Sequence, residues 1–119
     1  MLNMLIVEDV ISRKELGVLA ENLLGDMVKA VVDIEKEVLI LDAELHADME
    51  ALLLENGSEQ ENLWGINLYP DMDGEDFIEF DSMINIKPRQ GNRSRGVEDV
   101  NVRNRIIEII NNKTEKDVT

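Results

Sequence analysis

The sequence predicts an α+β domain: a largely antiparallel sheet built from two hairpins, with about three helices on one face. Three observations carry that reading. Leu16, Leu19, Ala20, Leu23 and Leu24 recur at helical spacing behind the capping-box pattern Ser12-Arg13-Lys14-Glu15. Residues 27–34 and 38–42 are β-branched-rich runs around a short charged turn, the pattern of a hairpin. Trp64, Ile66 and Leu68 alternate with Gly65, Asn67 and Tyr69, the period of a strand with one covered face. The expected order is helix, hairpin, helix, hairpin, helix.

Taken along the chain, a short apolar run at residues 4–8 offers a leading strand. Gly25 stops the first helix, since glycine is favoured just past a helix end. Asp48 is placed to cap a second helix through Asn56, with Gly57 closing it. In the second hairpin, Ile78, Phe80, Ile84 and Ile86 alternate with Glu79, Asp81 and Asn85, and the acidic turn DMDGED (residues 71–76) joins the strands. Asp99 can cap a third helix, with Val102, Ile106, Ile109 and Ile110 as its apolar stripe. The polar end of the chain, residues 113–119, is expected to fray.

At 119 residues, 44% hydrophobic and 32% charged, residues 1–119 form one domain with room for a core. Aromatics make up only 3%, so that core must be aliphatic. The longest apolar runs are four residues, far short of a membrane span, and no basic n-region precedes the first of them. With no cysteine there is neither a disulfide framework nor a thiolate metal site, and a reduced cytoplasmic location is the simplest expectation. The formal net charge is −14, yet residues 87–105 carry six basic side chains against Glu98 and Asp99. That leaves −18 on the rest of the chain, so bulk nucleic acid and anionic membranes are not expected partners.

The basic segment KPRQGNRSRG (residues 87–96) is the unusual feature. Residues 91–96 have the glycine spacing of a phosphate loop, but Val97 and Glu98 stand where that loop needs Lys-Ser/Thr. Acids opening the next helix would also repel an anion there, which excludes a nucleoside-triphosphate site. Arginine forks hold carboxylates or phosphates, and two glycines allow a loop to wrap closely around such a group. Arg89, Asn92, Arg93, Ser94 and Arg95 are therefore the candidate anion-binding residues. The competing reading is internal: these arginines answer the chain's own Glu79, Asp81 or Asp33.

His46, the one histidine, stands between Glu44 and Asp48; on an extended backbone the three would share a face. One histidine and two carboxylates are a thin ligand set, and Asp48 has a capping task, so no metal and no cofactor are expected. DMDGED lacks the calcium-loop spacing, because Gly74 follows Asp73 directly. No Gly-x-Ser-x-Gly elbow and no Cys–His pair occurs.

The stretches LWGINLYP (63–70), FIEFDSMINIKPRQGNRSRGVED (77–99), KAVVDIEKE (29–37) and ELHADMEALLLENGS (44–58) resemble a family of small bacterial and archaeal proteins known only as a domain of unknown function. The resemblance runs from about Met4 to Asn112, and its most specific part is Gly-Asn-Arg-Ser. It implies a small prokaryotic cytoplasmic protein and brings no reaction, cofactor or partner. Its members carry proline after the Glu-Asp pair, where Val100 stands here, which leaves the start of the third helix open.

The function expected from the residues is non-enzymatic: loop 89–95 holds an anionic ligand or an acidic protein surface. The alternative is a small hydrolase of phosphate or carboxylate esters with His46 as acid or base, which requires His46 beside the arginine loop. A third reading is a homo-oligomer joined through basic loop and acidic face.

Overall fold

Residues 28–33 (Val-Lys-Ala-Val-Val-Asp) can be buried on both faces, and they form the middle of the sheet. The computed structural model describes residues 4–115. In order these form β1 (Leu5–Val7), β2 (Ile11–Ser12), α1 (Arg13–Leu23), β3 (Val28–Asp33), β4 (Val38–Leu41), α2 (His46–Glu55), β5 (Leu63–Leu68), β6 (Ile78–Glu79), α3 (Val100–Lys113) and β7 (Thr114–Glu115). Five strands lie in the order β1-β4-β3-β5-β6, every neighbour antiparallel. β3 runs against the full length of β5, from Val28 opposite Leu68 to Asp33 opposite Leu63. β2 and β7 form a separate parallel pair. The α+β class and the leading strand are as expected.

Strand alternation divides the core in two. Ala30, Val32, Leu39, Leu41, Trp64, Ile66 and Leu68 pack with Leu16 and Ala20 of α1 and with Ile106, Ile109 and Ile110 of α3. Val31, Ile40 and Leu63 pack with Met49 and Leu53 of α2. The helices therefore cover both faces, not one: α1 and α3 lie on one side and α2 on the other. Gly65 and Asn67 made the second face of β5 read as polar and open, yet every residue of that strand is buried.

The helix ends follow their local chemistry. Ser12 Oγ accepts from the Glu15 N–H at 3.0 Å, the expected capping box. α2 starts at His46, ahead of the expected cap: Leu45 holds the cap position without a side-chain bond, and Asp48 lies within the first turn. The helix closes on Gly57 (φ 98°), with Gly57 N–H donating to Leu54 O and Ser58 N–H to Leu53 O. Asp99 caps α3 by accepting from Asn101 N–H, so proline is not needed to start it. Lys113 ends α3 and reaches Val7 O, while Thr114 and Glu115 pair with β2. Residues 116–119 of the expected frayed tail lie outside the described residues.

The second hairpin is shorter than its alternation predicts. β6 pairs with β5 only through Glu79 opposite Asn67 and Ile78 opposite Leu68. Residues Met83–Asn85 form a 3₁₀ turn instead of continuing the strand. The Asn85 side chain replaces it: Oδ1 accepts from Gly65 N–H at 2.8 Å and Nδ2 donates to Gly65 O at 2.9 Å. A side-chain amide thus supplies the donor and acceptor of a strand's peptide group. The DMDGED turn is held by Arg13, whose Nη1 donates to the carbonyls of Pro70 and Met72.

Trp64 is 3% exposed in the larger core. Trp64→Ala should cost about 3–5 kcal/mol in a denaturant titration. A cost below about 0.5 kcal/mol, within the range of ordinary surface changes, would place the ring outside the core.

Candidate functional site

The arginine loop is built on its own hydrogen bonds. Lys87 and Asn92 exchange both backbone bonds around the turn Pro88–Gln90, and Gly91 takes the left-handed conformation (φ 81°) that closes it. Asn92 is buried. Its Nδ2 donates to Asn85 O (2.7 Å), Gly96 O (2.8 Å) and Ser94 O (3.2 Å), and its Oδ1 accepts from Glu98 N–H (2.8 Å). The expected ligand residue Asn92 is wholly committed to shaping the loop.

The N–H groups of Arg93 and Ser94 point together as an anion would require, and Glu98 fills that place. Its Oε2 accepts from Arg93 N–H at 2.7 Å and from Ser94 N–H at 2.9 Å. Those two backbone donors hold the Glu98 carboxyl below the usual glutamate range. Ser94 Oγ accepts from Gly96 N–H. Arg95 Nε donates to Asp81 Oδ1 at 2.7 Å, a partly solvated ion pair. The side chains of Arg89 and Arg93 are exposed and make no hydrogen bond among the described residues. Asp33 does not meet the arginines: its oxygens accept from Glu35 N–H, Lys36 N–H and Ser58 Oγ.

Arg95 and His46 meet at an open cleft of about 310 Å³ between the start of α2 and residues 79–84. Gly65 makes this approach possible. A Cβ there would fall 2.6 Å from Ser82 Cβ and Oγ and 3.1 Å from His46 Cδ2, so any larger residue would push both away from the sheet. His46 is buried, with Nε2 2.8 Å from Ile66 O. A carbonyl only accepts, so Nε2 carries the proton and Nδ1 is left as an acceptor. Burial holds the imidazole pKa below its ordinary value of 6.5. His46 and Asp48 lie in a helix, not on an extended backbone, and no group of three or more His, Asp or Glu able to hold a metal occurs among the described residues.

Asn67 is the most informative residue of the cleft. Its Nδ2 donates to Glu79 Oε1 (2.8 Å) and Asp81 O (3.3 Å), both of which can only accept. The amide orientation is therefore determined, and Oδ1 remains buried without a hydrogen-bond partner. Lys29 lies directly across from Asn67 on β3 and also lines the cleft, without an ion-pair partner among the described residues. Sequence reasoning missed Lys29, Asn67 and Ser82. The available signal was Gly65 and Asn67 at strand spacing, which places a small residue and an amide on one face.

Residues 5–113 match the family model described as a protein of unknown function (DUF5674). No curated protein and no solved structure matches the chain.

Two outcomes test this geometry. Asn92→Ala leaves Asn85 O, Gly96 O and Glu98 N–H without their partner. A buried group left unmade costs about 1–3 kcal/mol, and since Asn85 O is buried while the other two are partly buried, the variant should lose roughly 2 kcal/mol or more in denaturant titrations. Arg93→Ala should change stability by less than about 0.5 kcal/mol. Equal, small effects would show that Asn92 does not hold the loop. For His46 the folded-state pKa lies below 6.5, so the unfolded chain takes the proton first. Its contribution is complete above pH 6.5 and is lost as the pH falls below that value. NMR titration should give an imidazole midpoint under 6.5 with the proton on Nε2, and His46→Gln should flatten that part of the stability profile. A midpoint at or above 6.5 would contradict the burial.

Proposed function

The chain belongs to the DUF5674 family of proteins of unknown function, and from that premise we propose that it is a small cytoplasmic binding protein. Its ligand seats an anionic group in the cleft beside α2. The observation carrying this reading is that Arg95 and Lys29, brought from a loop and from the middle strand, line the same cleft. Asp81 takes only the Nε of Arg95. The terminal N–H groups make no hydrogen bond among the described residues, and such a pair suits a carboxylate or phosphate. Lys29 supplies a second positive charge across the strand pair. Asn92 and Ser94 hold the loop that presents Arg95, and the exposed Arg89 and Arg93 add to the local positive field. The binding role thus narrows from the whole 89–95 loop to its Arg95 end.

Ester hydrolysis requires His46 beside the arginine loop, and His46 and Arg95 do share the cleft. The ring offers little to that chemistry. Its Nε2 proton is committed to Ile66 O, so Nδ1 is the nitrogen left to act as base, and no hydroxyl is hydrogen-bonded to it among the described residues. Ser82 Oγ accepts from Ile84 N–H, and no hydrogen bond joins it to His46 among the described residues. These contacts favour binding over hydrolysis.

The test is titration with acetate, butyrate and inorganic phosphate, followed by the side-chain NMR signals of Asn67 and His46. Wild type should shift saturably with at least one of them. Lys29→Met and Arg95→Gln should each weaken that binding about tenfold or more, the loss expected for a hydrogen bond to a charged group. Unchanged affinity in both variants, or no saturable shift in wild type, would overturn the reading.

A further inference from the structure

We infer that the ligand of this cleft is zwitterionic, an α-amino acid with an apolar side chain, its carboxylate at Lys29 and Arg95 and its ammonium at Asn67 Oδ1 and the Glu79 and Asp81 carboxylates. The inference rests on the anion-binding reading above and adds the second half of the ligand.

Charge gives the first argument. Lys29 and Arg95 line the cleft together with Glu79 and Asp81, so the formal charge around it sums to zero. A simple anion entering there meets two carboxylates as well as two cations. A dipolar molecule of zero net charge meets both pairs with the favourable sign.

Hydrogen bonding gives the second, independent argument. Asn67 is 4% exposed, and its Oδ1 has no partner. Its Nδ2 is held by Glu79 Oε1 and Asp81 O, so the amide cannot turn over without setting its oxygen against two acceptors. This oxygen needs a donor, which neither a carboxylate nor a fully ionised phosphate supplies. An ammonium supplies three. Glu79 Oε1 already accepts from Asn67 Nδ2 and Tyr69 OH, and Asp81 Oδ1 from Arg95 Nε. Each carboxylate keeps its second oxygen for the incoming cation.

Shape gives the third. Apart from His46 and Ser82 the rest of the lining is apolar and includes Leu45 and Met83, which are 56% and 65% exposed, beside the half-buried Met27 and Ile84. Two methionines at a lip adapt to side chains of differing shape. A volume of about 310 Å³ suits a molecule of amino-acid size.

The experiment compares leucine, methionine and phenylalanine with their deamino acids and their decarboxylated amines at neutral pH, by calorimetry and by NMR shifts at Asn67. At least one amino acid should bind about tenfold or more tighter than both of its truncated forms, the effect of one charge-assisted hydrogen bond. Glu79→Gln and Asn67→Leu, each first shown to be folded by its NMR spectrum, should narrow the gap between that amino acid and its deamino form. Lys29→Met should weaken both alike. A deamino acid binding as well as its amino acid overturns the zwitterion while leaving the anion site standing. An amine binding as well as the amino acid overturns the carboxylate contact. No binding by any acid or amino acid overturns both readings.

Discussion

The structure turns on how the outer edge of β5 is closed. A strand with free peptide groups would need either solvent or another strand, and β6 reaches only its last two residues. The Asn85 amide completes the edge by bonding both peptide groups of Gly65. That amide also donates to Arg95 O, while Asn92 Nδ2 holds Asn85 O and Ser82 N–H donates to Arg95 O. One buried polar network therefore positions Ser82, Asn85, Asn92 and Arg95 against the sheet. Buried amides of this kind are costly unless satisfied, and both groups of Asn85 and of Asn92 are.

The same network explains how a strongly acidic chain carries a cationic loop without collapsing onto it. Among the described residues two acidic side chains hydrogen-bond to the loop, Glu98 at its backbone N–H groups and Asp81 at Arg95. Glu98 plays the part that a bound anion plays in a phosphate loop, so the loop is shaped internally. The exposed Arg95–Asp81 pair contributes little to stability, as solvated pairs generally do. Its consequence is positional: Arg95 is held beside Asp81 at the cleft that Lys29 and Asn67 also line.

The cleft exists because α2 packs on the face opposite α1 and α3. Met49 and Leu53 anchor it over Val31, Ile40 and Leu63, and its first residue, His46, is tied to β5 through Ile66 O. Gly65 sets the distance of closest approach, since only a residue without a side chain admits Ser82 and His46 together. Packing of the helix, identity of one glycine and orientation of one amide thus define the shape and polarity of the site.

Much of the fold was legible in the sequence because it is encoded locally. Ser12 and Asp99 cap the helices they precede, Gly25 and Gly57 close the helices they follow, β-branched-rich runs located β3 and β4, and period-two alternation located β5. The candidate site was legible only in part. Arg95, Asn92 and His46 stood out by composition, but whether a polar residue serves a ligand or the fold depends on where its partners lie. Asn92 bonds Asn85 and Glu98, and Asn67 bonds Glu79, contacts that local spacing does not specify. The side of the sheet that takes α2 and the pairing of Asn85 with Gly65 were likewise decided by tertiary packing. Periodicity records which residues share a face, whereas hydrogen bonds between distant segments decide what that face meets.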